Sequence, residues 1–234
     1  MLTATDKRPG HSRDMMIVNF HGVGEPAREL EPGEAPFWLT RDQFCAVLDH
    51  IAARPDRHRF VITFDDSNIS DLAIAAPELS ARGLAATFFV LTGRLGQTGS
   101  LSRSDISELL SAGMQIGSHG VDHRDLTRLA PSRLDEELIR SKGVLEDICA
   151  GPIEGLSIPF GHYNARVLRA IRAAGYSTAY NSDGGRAHSA QFLRPRRSLR
   201  RDMSMHDVDR ILAGEPGMLR RLRRSVKTTV KRLA

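Results

Sequence analysis

Apolar strand-like runs alternate with helix-like segments from residue 15 onward, and this order constrains the fold more than any other feature of the chain. Strands separated by helices pair in parallel, because each helix carries the chain back to the edge of the sheet where the next strand begins. The pattern predicts an α/β fold, either an incomplete β/α barrel or an open doubly wound sheet. Seven runs are apolar or β-branched enough to be buried strands: Met16–Phe20, Phe60–Phe64, Ala85–Leu91, Met114–Ser118, Ile153–Ile158, Ser177–Tyr180 and a short run near Phe192.

Helix start and end signals fit the same order of elements. Gly113 and Gly175 mark predicted helix ends. Residues 22–39 form a long connection rich in Gly, Pro and Glu, and loops of this length often cover a site. Four pairs three positions apart resemble capping boxes: Thr40 with Gln43, Ser102 with Asp105, Ser132 with Asp135, and Ser204 with Asp207.

Composition excludes several classes of protein. With 41% hydrophobic and 26% charged residues among 234, the chain is predicted to form a packed core. Its apolar runs fall far short of the roughly 20 residues that a membrane-spanning helix needs. Residues 1–14 are predicted to be a flexible N-terminus without the apolar run of a secretory signal, so we expect a cytoplasmic protein. Cys45 and Cys149 lack metal-type spacing and are predicted to be buried free thiols.

The net charge of +5 is concentrated at the C-terminus. Residues 217–234 hold seven basic residues and no acidic one, so the rest of the chain carries −2. A basic amphipathic helix is predicted over residues 215–234, with an apolar stripe of Leu219, Leu222, Val226, Val230 and Leu233. Such a helix either contacts an anionic membrane surface, here the inner leaflet, or packs on the barrel. Nucleic acid is a less favoured partner, because the basic residues are confined to one helix.

Ionisable side chains follow two of the predicted strands. Asp65 and Asp66 end an apolar strand, where adjacent like charges repel unless a cation or a shared proton relieves them. A solvated strand end or a helix start would also accommodate this pair. His119 and His123 follow another strand at a spacing that lets both imidazoles face one ion. An Asp with two His residues predicts an open divalent-metal site, because three protein ligands leave a position for water.

The sequence Thr63-Phe-Asp-Asp-Ser followed by Ser118-His-Gly-Val-Asp-His resembles the first two motifs of the polysaccharide deacetylases, carbohydrate esterase family 4. The resemblance covers roughly residues 15–212 and implies a distorted, incomplete parallel (β/α)7 barrel, for which we expect the bounds 15–214. Four further segments occur in the family's order: Val18-Asn-Phe-His-Gly-Val, Ala86-Thr-Phe-Phe-Val, Gly113-Met-Gln-Ile-Gly-Ser-His and Pro159-Phe-Gly-His-Tyr-Asn.

The resemblance also implies a role for each matching residue. Asp65 matches the general base of the family. Its metal ligands correspond to Asp66, His119 and His123, and Zn²⁺ is the expected ion. Pro159 and Phe160 match a motif that lines the substrate groove, and the N–H of Phe160 is the expected oxyanion donor.

The chain departs from the family pattern in two places. Ser157 stands where the family often has an arginine that orients the base, and Arg196 matches an arginine that a subgroup of relatives has instead. The late strand that supplies the general acid has no convincing counterpart, because His206 is predicted to be a solvated residue of a helix capped by Ser204. His21 and His162, at predicted strand ends, are better placed to protonate a leaving amine.

Aromatic side chains complete the predicted site. Trp38, Phe160 and Tyr163 could stack on a sugar ring, although Trp38 would serve equally well to pin its loop to the barrel. The expected reaction is metal-dependent removal of an N-acetyl group from an amino sugar, in a nucleotide-linked, lipid-linked or oligosaccharide substrate. One alternative is a sugar N-deformylase, since one methyl group is discriminated by only about 1–3 kcal/mol. The other is an inactive sugar-binding module, which gives no reason to keep both carboxylates beside both histidines.

Overall fold

Parallel strands form the centre of the computed structural model, which describes residues 14–214. The strands are β1 (Asp14–Phe20), β2 (Gly22–Val23), β3 (Trp38–Leu39), β4 (Phe60–Phe64), β5 (Ala86–Val90), β6 (Gln115–Ser118), β7 (Gly155–Ser157), β8 (Thr178–Asn181), β9 (Ala187–His188), β10 (Leu193–Pro195) and β11 (Arg197–Ser198). The helices are α1 (Arg41–Ala52), α2 (Ala76–Ala81), α3 (Arg103–Ser111), α4 (Pro131–Asp135), α5 (Ser141–Cys149), α6 (Ala165–Ala173) and α7 (Met205–Leu212). Two π-helical turns, Asp71–Ala75 and Glu136–Arg140, precede α2 and α5.

The main sheet is a nearly closed barrel. Its strands follow the order β10, β8, β7, β6, β5, β4, β1 and β11, all paired in parallel, while β9 adds an antiparallel pair to β1. The segment 193–198 pairs with β8 through its first half and with β1 through its second half, so one stretch of chain joins the two edges. The predicted distorted, incomplete (β/α)7 barrel is confirmed, and the seventh predicted strand, near Phe192, is this broken segment.

A ladder of aromatic rings fixes the register of the first strands. Phe20 stacks on Phe64 and Phe64 on Phe88, with ring centroids 5.2 and 4.7 Å apart, and all three side chains are buried. Phe20 is the register partner of Phe64, so the residues that follow them, His21 and Asp65, emerge side by side at the carboxyl edge of the sheet.

The capping signals predict three helix starts correctly and one incorrectly. Capping boxes begin α1 at Thr40, α3 at Ser102 and α7 at Ser204. The box predicted at Ser132 is wrong, because α4 begins at Pro131 after Ala130 and Ser132 lies inside its first turn. Gly113 and Gly175 follow α3 and α6 with φ of 79° and 80°, as helix-ending glycines do.

Two other predictions about side-chain burial are corrected. Cys45 and Cys149 are free thiols as predicted, but both are half-buried rather than buried. Trp38 is only 3% exposed and packs flat over Gly22, where an added Cβ would lie 2.2 Å from the indole ring. The indole therefore pins the loop of residues 24–37, which we call the cap loop, and offers no face to a sugar.

No helix among residues 14–214 is both long enough and apolar enough to cross a membrane. The predicted flexible N-terminus, apart from Asp14, and the predicted basic helix over 215–234 lie outside the described residues.

Candidate active site

The predicted site residues meet above the carboxyl ends of strands β1, β4 and β6, with β5 between the last two. His21 follows β1, Asp65 and Asp66 follow β4, and the loop with His119 and His123 follows β6. These five side chains line one open cavity of about 1020 Å³, with the cap loop on one side. Ligands in parallel α/β folds gather at this edge of the sheet.

Asp66, His119 and His123 form a set of ligand atoms that fits a metal ion. The Oδ1 atom of Asp66 lies 3.4 Å from Nε2 of His119 and 3.6 Å from Nε2 of His123. Ligand atoms at about 2.0–2.1 Å from a tetrahedral zinc ion are about 3.3 Å apart, so this spacing matches a shared ion. The same Asp66 oxygen is buried and has no hydrogen-bond partner among the described residues, which is costly unless a cation satisfies it.

Outer partners orient both imidazole rings. His119 Nδ1 lies 2.8 Å from the carbonyl oxygen of Ser157, and His123 Nδ1 lies 3.2 Å from a carboxylate oxygen of Glu31. Both partners accept hydrogen bonds, so each Nδ1 carries the proton and each Nε2 directs its lone pair toward Asp66. This arrangement is the usual second shell of a histidine-ligated metal.

Strained backbone marks the same place. Asp66, Ser67, His123 and Phe160 have φ between 53° and 79°, and the only other such non-glycine residue among 14–214 is Ala150. Each of these conformations costs about 1–3 kcal/mol and persists only where the surroundings impose it. The Ser67 hydroxyl helps to hold its turn by accepting a hydrogen bond from the N–H of Leu91 at 2.6 Å.

A buried carboxylate supports the histidine loop from below. Glu137, in the second π-helical turn, is 6% exposed and accepts hydrogen bonds from the N–H groups of Val121 and Asp122 at 2.7 and 3.2 Å. Its carboxylate lies directly under Gly120, where a Cβ would approach to 2.8 Å. Glu137 thereby fixes the loop that carries both histidines.

Asp65 is held rigidly by Arg196. Two parallel hydrogen bonds of 2.9 and 2.7 Å join the guanidinium to the two carboxylate oxygens, and Asn19 donates a third at 3.1 Å. The Arg196 side chain is 1% exposed and also donates to the Ser157 hydroxyl at 2.6 Å. The predicted partnership of Arg196 with Asp65 is thus present in the structure.

Electrostatics keep both carboxylates ionised. Burial alone would raise the pKa of Asp65, but the Arg196 charge, with smaller effects of His119 and His21, lowers it to about 2. Burial is likewise outweighed at Asp66, where the nearby His119, with smaller effects of His21 and His123, holds the pKa well below its usual range. Burial and the charge of His119 lower the pKa of His123, which favours the neutral form that binds metals.

Besides His21, two further predicted residues, Phe160 and His162, line the cavity. His21 packs against the Phe37 ring of the cap loop at 4.8 Å between centroids, and its buried Nδ1 has no hydrogen-bond partner within residues 14–214. Phe160 is 52% exposed and lies 4.3 Å from the His123 ring, measured between centroids. His162 is at the rim, where its Nδ1 lies 2.9 Å from a carboxylate oxygen of Asp125.

The other predicted substrate contacts are not at the cavity wall. Trp38, Pro159 and Tyr163 are buried, and none of them lines the cavity. The Tyr163 hydroxyl donates instead to Asp183 at 2.6 Å. The structure therefore gives these rings a packing role. For Trp38 this is the second of its two expected roles, pinning the loop, whereas Tyr163 was expected to stack on sugar and is buried.

Sequence inspection missed Glu31, Glu137 and Asn19. Glu31 and Glu137 contact residues far away along the chain, so no local pattern points to them. Asn19 did carry a signal, because it is a polar residue within the apolar strand β1, and its amide bridges Asp65 and the Thr63 hydroxyl.

Comparison with known protein sequences leads to the same family as the barrel and its site residues. A sequence profile of the family described as polysaccharide deacetylase matches residues 52–179, and the chain belongs to this family. YxkH of Bacillus subtilis (strain 168), whose name proposes a polysaccharide deacetylase, is 28% identical over 189 residues, or 81% of this chain and 60% of YxkH. The peptidoglycan-N-acetylglucosamine deacetylase PgdA of Listeria monocytogenes serotype 1/2a (strain 10403S) is 27% identical over 114 residues.

The chain spans less than two thirds of both curated relatives, because the matches cover 60% of YxkH and 24% of PgdA. The match to PgdA covers 48% of this chain. Among solved structures, the Streptococcus pyogenes deacetylase PplD in complex with acetate superposes with a TM-score of 0.73. That match covers 87% of this chain and 99% of PplD at 23% identity, so the two proteins share a fold.

Proposed function

We propose that this chain is a metal-dependent carbohydrate N-deacetylase, which hydrolyses the amide of an N-acetylated amino sugar to acetate and a free amine. One arrangement supports this function above all others. Asp65, ionised and fixed by Arg196, adjoins the Asp66, His119 and His123 set at the floor of an open cavity. Relatives named as deacetylases of peptidoglycan N-acetylglucosamine and of chitin support the amino-sugar substrate.

Asp66, His119 and His123 would hold the ion, for which we propose Zn²⁺. When bound there, the ion would lower the pKa of a water molecule toward neutrality and polarise the amide carbonyl. Asp65 would accept a proton from the attacking water as the water oxygen bonds to the carbonyl carbon. The pairing with Arg196 keeps Asp65 ionised and aimed at the cavity.

The remaining steps belong to groups around the cavity. The N–H of Phe160, on a strained backbone beside His123, is our proposed donor to the developing oxyanion. His21 is our proposed donor of the proton that the amine takes up as the carbon–nitrogen bond breaks. Its buried Nδ1 has no hydrogen-bond partner among residues 14–214.

Measuring both turnover and metal content distinguishes the proposed base, Asp65, from a proposed metal ligand, His119. The zinc-loaded protein should release acetate from N-acetylated sugars, whereas Asp65→Asn should lose turnover and keep its zinc. His119→Ala should lose both, because it removes a ligand. Acetate release would be followed by an enzymatic assay and zinc by elemental analysis, with N-formyl sugars assayed in parallel. Near-normal turnover by the Asp65→Asn variant would contradict the assignment of the base.

A further inference from the structure

A buried amide joins the turn that carries Asp66 to the cap loop, and the proposed chemistry gives it no role. Asn68, in that turn, is 0% exposed. Its Nδ2 group donates to the carbonyl oxygen of His21 at 3.2 Å, and its Oδ1 atom accepts a hydrogen bond from Nε of Arg28 at 3.0 Å. The Asn68 side chain therefore connects two segments of chain that lie 47 and 40 positions away.

Arg28 fixes the internal arrangement of the cap loop. Its guanidinium pairs with the carboxylate of Glu34 and donates to the carbonyl oxygen of Glu29 at 3.0 Å. Glu34 also accepts hydrogen bonds from the N–H of Glu31 at 2.9 Å and from the indole N–H of Trp38 at 3.3 Å. The contact between Arg28 and Asn68 thus attaches an already ordered loop to the turn that carries Asp66.

The backbone around Asn68 leaves its amide little freedom. The N–H of the next residue, Ile69, donates to the carbonyl oxygen of Gly99 at 2.9 Å. The cap loop packs on the same segment, because a Cβ on Gly99 would lie 2.7 Å from the carbonyl oxygen of Ala27. Asn68 therefore presents its donor and its acceptor from a fixed position.

His21 contacts the cap loop through its ring as well as through Asn68. The imidazole lies 4.8 Å from the Phe37 ring, measured between centroids, while the carbonyl group of His21 is held by Asn68. No residue among 14–214 forms a hydrogen bond with Nδ1 of His21. The orientation of the imidazole thus depends on its packing against the cap loop and on how its own backbone is held.

We infer that Asn68 is a positioning residue of the proposed deacetylase, which holds the cap loop and the end of β1 together so that His21 faces the leaving amine. The inference rests on the proposed function, in which His21 gives a proton to the amide nitrogen as the carbon–nitrogen bond breaks and the water oxygen stays with acetate. A general acid contributes about 10²–10⁴-fold to such a step, and a displacement of about 1 Å can cost about 100-fold. Loss of the Asn68 amide should therefore slow chiefly the step that needs this proton.

An aryl ester separates a loss of proton donation from general damage to the site. The leaving group of 4-nitrophenyl acetate departs as a stabilised anion, whereas the amine of an N-acetylated chitooligosaccharide must be protonated as it leaves. At saturating zinc, we expect Asn68→Ala to lower kcat for the amide about 10- to 100-fold and kcat for the ester less than about threefold. Asp65→Asn should lose turnover of both substrates, because both require an activated water.

Arg28→Lys tests the same connection from the side of the cap loop. Lysine keeps a positive charge beside Glu34 but lacks the Nε–H group that reaches Asn68, so this variant should also lose amide turnover selectively. Because the two residues act as one connection, the double variant with Asn68→Ala should lose less than the product of the two single losses. Asn164→Ala is the matched control: it removes an amide that accepts from the N–H of Val167 at 3.0 Å to cap α6, and it should leave the ratio of amide to ester turnover unchanged.

Imidazole resonances give a readout that does not depend on turnover. In the zinc-loaded chain labelled with ¹⁵N-histidine, Asn68→Ala should shift the signals of His21, assigned with His21→Gln, and Asn164→Ala should not. Equal losses of amide and ester turnover, or unshifted His21 signals, would overturn the inference. Shifted His21 signals in a chain that releases acetate from no sugar would instead contradict the proposed function and leave Asn68 as the residue that positions His21.

Discussion

Glu31 is the residue through which the cap loop reaches the metal ligands. Its carboxylate contacts Nδ1 of His123 and is itself paired with Arg94. Outer partners of this kind orient a ligand and raise its basicity, and their loss typically weakens metal binding by about 10- to 100-fold. We expect Glu31→Gln to weaken zinc binding by this factor, measured by competition with a chelator. Glu25→Gln, an exposed change on the same loop, is the control, and equal affinities in the two variants would contradict the role of Glu31.

Arg196 determines both the stability and the protonation of Asp65. Arg196→Met would leave a buried carboxylate without its partner, which typically costs about 3–5 kcal/mol in the free energy of unfolding. Without the guanidinium, burial raises the pKa of Asp65, so the acidic limb of the kcat/KM profile should move to higher pH. Urea unfolding and a pH–rate profile measure the two effects. The double variant Asp65→Asn with Arg196→Met has no unpaired charge and should recover part of the stability, and no recovery would argue against this pairing.

The same pair has a defined dependence on pH in the metal-free chain. The pKa of Asp65 is about 2 in the folded protein against an ordinary value of 3.8, so protons bind the unfolded chain more readily. The resulting stabilisation is present above about pH 4 and is lost as pH falls through about 2. The Arg196→Met variant should lack it, which urea unfolding between pH 5 and pH 2 would show.

Site residues could be predicted from the sequence where their position follows from the strand directly before them. Asp65, Asp66, His119 and His123 could be found because each follows a predicted strand and the ends of parallel strands meet. Arg196 was found through family resemblance alone, since its partner lies 131 positions away. Burial of the Trp38 ring could not be predicted, because it depends on Gly22 in the neighbouring strand β2 leaving space for an indole.

Among the elements, the second π-helical turn has the clearest consequence for the site. It places Glu137 under the histidine loop, where its carboxylate accepts hydrogen bonds from two backbone N–H groups. Glu137→Ala leaves these groups buried and unpaired, so we expect a loss of about 1–3 kcal/mol in unfolding free energy and weaker zinc binding. Glu137→Gln keeps one hydrogen-bond acceptor, so its unfolding free energy and its zinc affinity should lie between those of the wild type and of Glu137→Ala. Glu136→Ala, which removes a half-buried side chain paired only with the exposed Arg133 and Arg140, should alter neither quantity much. An equal effect there would exclude the specific role of Glu137.

Strands and helices could be predicted where a single sequence pattern pointed to them. The prediction failed where two patterns gave different helix starts. The buried strands were found because apolar runs between helices have few other uses, and their observed ends differ by one or two residues. The helix start at Ser132 was missed because Pro131 suits the first turn better than a serine cap one residue later. The π-helical turns leave no periodic signal, since each interrupts a helix for only five residues.

On the scale of the whole molecule, the segment that closes the barrel also supplies a residue of the candidate site. The segment 193–198 crosses from β8 to β1, and Arg196 lies at the crossing point with its side chain directed to Asp65. Its neighbour Arg197 lines the cavity above. The sequence predicted seven strands but could not predict that the last one would join both edges, because pairing between distant strands is not encoded in any single segment.

The net charge of the whole molecule is unevenly divided along the chain. The basic segment 217–234 carries seven positive charges and the rest of the chain −2, so any attraction to an anionic surface must come from that segment. It begins shortly after α7, where Arg210 and Ile211 line the cavity. A C-terminal segment that contacts a membrane would keep the proposed deacetylase site close to substrates attached to lipid.

We therefore expect the full-length chain to co-sediment with vesicles containing anionic lipid at low salt and to dissociate at high salt. Each basic residue near such a surface contributes about 1 kcal/mol, and salt screens this attraction within about 10 Å at 0.1 M. Deletion of residues 217–234 should abolish co-sedimentation and leave turnover of a water-soluble substrate unchanged, because the residues proposed for catalysis all lie within 14–214. Neutral vesicles are the control. Equal sedimentation of the truncated chain, or none by the full-length chain, would show that the basic tail serves the folded domain or another partner instead.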